Sequence, residues 1–207
     1  MSETVLIPGG RDVRATLDIA ASDGSRGEAA VVACPPHPQH GGHRGDERLT
    51  AVSDALTDRG IDCLRFDYGD WDEGYGESTD ADNAVGWAAE RYERVGLFGF
   101  SFGATVALVA AASRPGLAGV CALAPTARLN PDVDAVAALD ALVDLGVATR
   151  ILYATRDSTA DWEPVVERAE QLGIETVAFE SDHFFVGRAG DVGKAVEEFF
   201  GTRLRDD

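Results

Sequence analysis

The segment VGLFGFSFGA, residues 95–104, carries the clearest structural signal in this chain. An apolar run ends in Gly-Phe-Ser-Phe-Gly, and a helix pattern rich in small residues follows over 104–112. This order predicts a strand, a tight turn with Ser101 at its apex, and a helix whose unpaired N–H groups face whatever the serine attacks. Gly99 and Gly103 are expected because a Cβ there would strike the neighbouring strand or helix. The alternative is a strand–helix corner packed with small residues.

Strand-like and helix-like patterns alternate outward from this stretch. Strands are predicted at 4–7, 14–20, 29–34, 61–66, 95–98, 117–123, 149–154 and 174–179. Helices are predicted at 46–59, 80–92, 104–112, 133–144, 161–172 and 189–200, and loops or turns at 22–27, 67–79 and 125–131. The pattern indicates an α/β fold with an N-terminal antiparallel hairpin, a mostly parallel sheet and helices on both faces. One domain over 1–207 is expected.

The charge balance is strongly acidic. The chain has 36 acidic and 18 basic residues and a net charge of −18, and 17 of the basic residues are arginine, with Lys194 the single lysine. This balance disfavours nucleic-acid binding. Its self-repulsion weakens at molar salt, where the Debye length is about 3 Å, so a protein of a salt-accumulating cytoplasm is predicted. The alternative is an ordinary acidic mesophilic protein.

No membrane or export signal is evident in the sequence. No apolar run approaches the roughly 20 residues of a membrane span. Residues 1–10 show neither a basic region nor a signal-peptide core. A cytoplasmic protein without membrane contact is therefore expected.

Neither the cysteines nor the clustered histidines favour a metal site. The cysteines lie in separate apolar runs and are interpreted as core residues, not as disulfide or zinc partners: Cys34, Cys63 and Cys121. Three histidines recur at every third position, His37, His40 and His43. The prolines and glycines between them prevent a helix, so this spacing does not place them on one face. No metal and no cofactor is expected.

A serine nucleophile needs a base and an orienting acid, and both follow predicted strands later in the chain. Asp157 follows the strand at 149–154, and His183 follows the strand at 174–179. Histidine titrates near neutral pH, and an aspartate fixes its tautomer and stabilises the imidazolium.

Asp157 could instead cap a helix, and His183 could be a surface residue. Asp161 is expected to cap the helix that starts there, and Asp182, adjacent to His183, is expected to point elsewhere.

The developing oxyanion needs backbone donors. The first predicted donor is the Phe102 N–H, directly after the serine, and the second should come from the loop after the strand at 29–34. Prolines in that loop lack an N–H, which leaves His37 as the nearest donor.

Trp71 and Tyr75, in the acidic loop, could equally line a pocket mouth or serve in packing.

Several motifs together resemble the α/β-hydrolase superfamily over nearly the whole chain, and most closely its small, lidless, dienelactone hydrolase-like branch. They are Pro36-His37-Pro38 with Gly41-Gly42, Leu64-Arg65-Phe66-Asp67 leading to Gly74-Tyr75-Gly76-Glu77, the serine turn, and Asp182-His183-Phe184-Phe185. The resemblance implies a single-domain α/β-hydrolase fold and an ester hydrolase with a Ser101–Asp157–His183 triad and no cofactor. Residues 123–150 are too few for a large cap domain.

Two departures from the branch limit what is carried over. Pro35 stands where the branch has the first histidine of His-Pro-His-Pro, and the nucleophile is Ser101 where dienelactone hydrolases use a cysteine. The dienelactone substrate is therefore not transferred. Arg44, Arg156 and Arg188 lie near the active-site loops, but nothing in the sequence indicates that they converge.

The sequence thus predicts a serine hydrolase acting on a small-molecule carboxylic ester or thioester through an acyl-enzyme. An acyltransferase or peptidase would use the same residues. A fold member that binds a small ligand or a partner without catalysis is the alternative from another class. The acyl and alcohol specificity and the oligomeric state do not follow from the sequence.

Overall fold

The computed structural model describes residues 1–11, 13–21 and 26–204. Its strands are β1 (Ser2–Ile7), β2 (Val13–Asp18), β3 (Ala29–Cys34), β4 (Asp62–Phe66), β5 (Arg94–Phe100), β6 (Gly119–Leu123), β7 (Arg128–Asn130), β8 (Val133–Asp134), β9 (Thr149–Ala154) and β10 (Glu175–Phe179). Its helices are α1 (Glu47–Thr57), α2 (Tyr75–Ala89), α3 (Phe102–Ala112), α4 (Ala135–Leu145), α5 (Glu163–Gln171) and α6 (Ala189–Gly201).

Eight of these strands form one sheet in the order β1-β2-β4-β3-β5-β6-β9-β10. The six strands from β4 to β10 pair in parallel, whereas β2 pairs antiparallel with both β4 and β1. The predicted antiparallel hairpin and mostly parallel sheet are therefore confirmed. Of the predicted turn at 22–27, residues 22–25 lie outside the described part of the chain.

The sheet is covered on both faces, as its continuously apolar strands predict. Successive side chains of β3 alternate between two cores: Val31 contributes to the core that contains the buried faces of α1 and α6, and Val32 to the core that contains those of α2, α3, α4 and α5. Every residue of β3 is buried. Such a strand is typical of a parallel sheet buried on both faces.

The three cysteines lie in these two cores, which confirms their interpretation as core residues. Cys34, Cys63 and Cys121 are free thiols and are fully buried. Burial raises the pKa of Cys63 and of Cys121 to about 12. These thiols therefore stay protonated and act as small apolar side chains.

Two expectations about loops were wrong. Helix α2 begins at Tyr75, inside the predicted loop at 67–79, because the Glu77 carboxylate accepts hydrogen bonds from the N–H groups of Asp72 and Gly74 and so stabilises the helix N terminus. The predicted loop at 125–131 contains β7, which pairs with β8 in a short ribbon.

None of the helices in the described residues has the length and apolar character needed to cross a bilayer.

The parallel pairing brings the functional loops to one edge. Strands β3, β5, β6, β9 and β10 run in the same direction, and their last residues are close in register: Cys34 pairs with Gly99, and Phe179 with Ala154. The loops that follow β3, β5, β9 and β10 therefore meet at the carboxyl edge of the sheet, where ligands bind in such folds.

Candidate active site

The turn between β5 and α3 places Ser101 in a strained backbone conformation, with φ 57° and ψ −121°. A Cβ at Gly99 would lie 2.1 Å from the Gly103 carbonyl oxygen, and one at Gly103 would lie 2.3 Å from the Pro35 carbonyl oxygen. Glycine is therefore required at both positions, as predicted. The Ser101 N–H donates to the Leu123 carbonyl at 2.8 Å, so the sheet also holds the turn.

Three side chains from three strand ends come together at this turn. Ser101 Oγ lies 2.8 Å from His183 Nε2, and His183 Nδ1 lies 2.6 Å from Asp157 Oδ2. The side chains of His183 and Asp157 are only 5% and 0% exposed. A neutral imidazole that donates its Nδ1–H to the carboxylate leaves Nε2 free to accept the serine proton. The arrangement is chemically able to activate a hydroxyl.

The carboxylate of Asp157 is fixed on both of its oxygens. Oδ2 faces His183, while Oδ1 accepts hydrogen bonds from the N–H groups of Thr159 at 2.8 Å and Ala160 at 3.0 Å. These bonds close a turn; they do not cap a helix, because α5 begins only at Glu163. Asp157 therefore stabilises its own loop and orients the imidazole at the same time.

The two competing aspartates lie in other surroundings. Helix α5 has Trp162 at its N-cap position and no side-chain cap, so the expectation that Asp161 caps it was wrong. The reason is local: the main chain of Asp161 is engaged with Thr126 and Ala127, and the helix starts two residues later. Asp182 accepts from the Phe184 N–H through Oδ1, within its own turn.

The structure brings Phe102 and His37 together. Phe102 is the first residue of α3, and His37 lies in the loop after β3, with its ring centroid 4.9 Å from that of Phe102. Among the described residues, neither backbone N–H donates a hydrogen bond to another group. The loop is tight, since the Gly42 N–H donates to the His37 carbonyl and a Cβ at Gly42 would lie 2.2 Å from the Pro36 carbonyl oxygen.

Two of the three clustered histidines stack their rings on each other. The ring of His37 lies 4.4 Å from that of His40, nearly parallel to it, whereas His43 Nδ1 accepts from the Gly45 N–H. Burial, followed by the charge of His40, lowers the pKa of His37 below its ordinary value. Within the described residues, no group of three or more His, Cys, Asp or Glu side chains is arranged to hold a metal ion.

Ser101 and His183 open into a cleft of about 540 Å³. Its lining comes from the loop after β3, the start of α1, the serine turn, and the loops after β9 and β10: Pro36, His37, His40, Gly41, Gly42, Asp46, Arg48, Phe100, Ser101, Thr159, His183 and Phe184. A cleft of this volume suits a small organic molecule. Trp71 packs against His37 beside the cleft, and Tyr75 is an exposed residue at the start of α2.

The sequence reasoning missed Arg48, which is the one arginine among the described residues that lines the cleft. Arg48 pairs with Asp46 at 2.6 Å and lies over the Phe100 ring at 4.6 Å. The three arginines noted from the sequence, Arg44, Arg156 and Arg188, are not among the described residues that line the cleft. Arg44 pairs instead with Asp67, and Arg188 with Asp191. The signal for Arg48 was its place at the second position of α1, directly after a predicted active-site loop.

Comparisons with known proteins find matches to this chain both by sequence and by structure. The X-Pro dipeptidyl-peptidase (S15) family matches residues 66–161, slightly less than half of the chain. An uncharacterised protein of Rickettsia prowazekii is 24% identical over an alignment of 185 residues, and the match covers 81% of this chain and 76% of that protein.

Solved structures match over the whole chain. A lidless α/β serine hydrolase of Xanthomonas campestris matches 100% of this chain and 96% of its own with a TM-score of 0.81 and 22% identity. Dienelactone hydrolase of Anabaena variabilis matches 99% of both chains with a TM-score of 0.77 and 20% identity. Esterases are also among the structural neighbours. The chain therefore has the lidless α/β-hydrolase fold that its motifs predicted.

Proposed function

We propose that this protein is a serine hydrolase that cleaves a small carboxylic ester or thioester. The observation that carries the proposal is the pair of hydrogen bonds that joins Ser101 to His183 and His183 to Asp157. A buried chain of this kind activates a serine hydroxyl, which is a weak nucleophile without a base. The esterases and dienelactone hydrolase among the structural neighbours support the substrate class.

In the proposed reaction, Ser101 Oγ attacks the substrate carbonyl carbon while His183 Nε2 takes the hydroxyl proton. Asp157 stabilises the imidazolium, and the N–H groups of Phe102 and His37 hold the oxyanion. The imidazolium then gives its proton to the leaving alkoxide or thiolate, which departs and leaves an acyl-enzyme. Water, deprotonated by His183, attacks the acyl carbon, and the acid leaves as Ser101 regains its proton. No cofactor is needed.

A peptidase is the second candidate. The S15 peptidase match over residues 66–161 favours it, and that segment includes Ser101 and Asp157 but not His183. The residues would act in the same roles on an amide, so the two candidates differ only in the leaving group. An acyltransferase would replace water with another acceptor. A protein that binds a ligand without catalysis would keep the cleft but leave Ser101 unreactive.

The test is a series of p-nitrophenyl esters from acetate to octanoate in molar KCl, beside X-Pro p-nitroanilides. Wild type is compared with Ser101→Ala and His183→Ala, and a fluorophosphonate followed by mass spectrometry reports reactivity at Ser101. Ester turnover and labelling that both variants lose would support the proposal. Anilide turnover alone would favour the peptidase. A folded protein that is neither labelled nor active would overturn the proposal in favour of ligand binding.

We also propose that the protein works in a salt-rich cytoplasm. The support is the net charge of −18 and the use of 17 arginines against one lysine. Acidic side chains are spread over the whole chain, so their repulsion destabilises the folded state until salt screens it. The same charge disfavours nucleic acids as partners.

A further inference from the structure

The loop between β4 and α2 carries an aromatic side chain that touches both residues proposed to hold the oxyanion. The Trp71 ring stacks on that of His37, with centroids 4.6 Å apart and planes inclined by 29°. The Trp71 and Phe102 rings lie 5.7 Å apart, and the His37 and Phe102 rings 4.9 Å apart. Each ring therefore contacts the other two, and we call these three residues the aromatic clamp.

Two buried carboxylates of α2 hold the Trp71 loop on either side of the tryptophan. Glu77 accepts from the Asp72 N–H at 3.0 Å and from the Gly74 N–H at 2.8 Å. Asp80, one turn later on the helix, accepts from the Gly69 N–H at 2.9 Å. Both carboxylates are 0% exposed. The backbone is thus fixed both before and after Trp71.

Burial of two carboxylates three residues apart is costly, and one arginine compensates for part of that cost. Arg11 Nε donates to Asp80 at 2.8 Å, and Arg11 Nη2 donates to the Asp70 carbonyl at 2.5 Å. Glu77 forms no ion pair among the described residues, and its carboxylate accepts hydrogen bonds from backbone N–H groups of the loop. Charged groups are rarely fully buried unless they are paired or hydrogen-bonded, and here the hydrogen bonds run to the backbone of the Trp71 loop.

We propose that Trp71 is a positioning residue for the oxyanion site, and that Glu77 and Asp80 hold it in place. The ring contacts of the clamp hold the loop after β3 against the start of α3. They therefore set the distance between the His37 and Phe102 N–H groups. This inference rests on the proposed hydrolase function. Because the oxyanion exists only after attack, loss of the clamp should affect the reaction step more than substrate binding.

The test compares Trp71→Ala and Trp71→Phe with Trp87→Leu, a control at a buried tryptophan on α2 that lies outside the clamp. Complete loss of one oxyanion donor lowers kcat on the order of a hundred- to a thousandfold, and a displaced donor should lower it less. We therefore expect Trp71→Ala to lower kcat about 10- to 100-fold with KM changed less than about threefold. Trp71→Phe should restore most of kcat, and Trp87→Leu should lower Tm but not kcat.

A second variant guards against simple unfolding of Trp71→Ala. Glu77→Gln keeps the side-chain shape but retains only one acceptor oxygen, so one loop N–H loses its partner. A drop in the kcat of Glu77→Gln with unchanged KM would support the inference, and unchanged kcat in Glu77→Gln, with the kcat of Trp71→Ala no lower than that of Trp87→Leu, would overturn it. Wild type serves as the separate check: if fluorophosphonate does not label its Ser101, the hydrolase function itself is wrong and the inference falls with it.

Discussion

The turn at Ser101 and the loop at residues 35–42 both face the cleft, but different contacts hold them. The turn is fixed by close backbone packing, because a Cβ at Gly99 would strike the Gly103 carbonyl and one at Gly103 would strike the Pro35 carbonyl. The loop is held partly by a residue that is distant in sequence, because the ring of Trp71 stacks on that of His37. A larger residue in the tightly packed turn should therefore destabilise the fold. The loop at the edge of the sheet can instead shift, so a change there should mainly misalign the His37 N–H.

The largest expected effect concerns the hydrogen-bonded side chains that act on Ser101 in the first region. Asp157→Asn should lower kcat on the order of ten-thousandfold, because the amide favours the wrong imidazole tautomer and cannot stabilise the imidazolium. The measurement is turnover of the best p-nitrophenyl ester, with folding checked by circular dichroism. Asp161→Asn and Asp182→Asn are matched controls and should retain nearly full activity. A similar loss in all three variants would contradict the assignment of the acid.

A glycine-to-alanine substitution in each region should lower the free energy of unfolding by different amounts. Gly99→Ala should lower the free energy of unfolding by about 3 kcal/mol or prevent folding, because its Cβ would collide with enclosed backbone. Gly42→Ala produces a clash of similar size in a half-exposed loop. It should cost only about 1 kcal/mol, because the loop can move, but it should lower kcat about tenfold as the His37 N–H shifts.

Urea unfolding in molar KCl, together with ester turnover, gives both quantities for each variant. Gly190→Ala is the control, since a Cβ at Gly190 meets no atom within 4 Å in α6 and alanine favours a helix. Equal losses of stability in Gly99→Ala and Gly42→Ala would show that the two regions do not differ as described.

The smallest effect concerns the whole surface. Raising KCl from 0.1 M, where the Debye length is about 10 Å, to 1 M, where it is about 3 Å, should raise Tm by at least about 5 °C. Because the acidic side chains are spread along the whole chain, the ratio of kcat between wild type and Gly42→Ala should stay constant with salt. A flat Tm would contradict the salt-adaptation proposal, and a changing ratio would mean that charge acts on the loop directly.

The order of strands and helices and the meeting of Ser101, Asp157 and His183 could be predicted from the sequence, because parallel strands gather their carboxyl ends at one edge. The early start of α2 could not, since it depends on the Glu77 carboxylate turning back to Gly74. The contacts of the cleft lining also could not, since they depend on how helices and loops from distant parts of the chain pack together.

The backbone angle of Ser101 has a consequence for how this chain could change over generations. A non-glycine residue at φ 57° and ψ −121° costs on the order of 1–3 kcal/mol of folding stability. Glycine would remove most of that cost in a single substitution, and with it the hydroxyl. In a lineage that no longer used the hydroxyl, substitution by glycine would therefore increase folding stability in one step. Serine at this position is thus expected to persist only while its hydroxyl is in use.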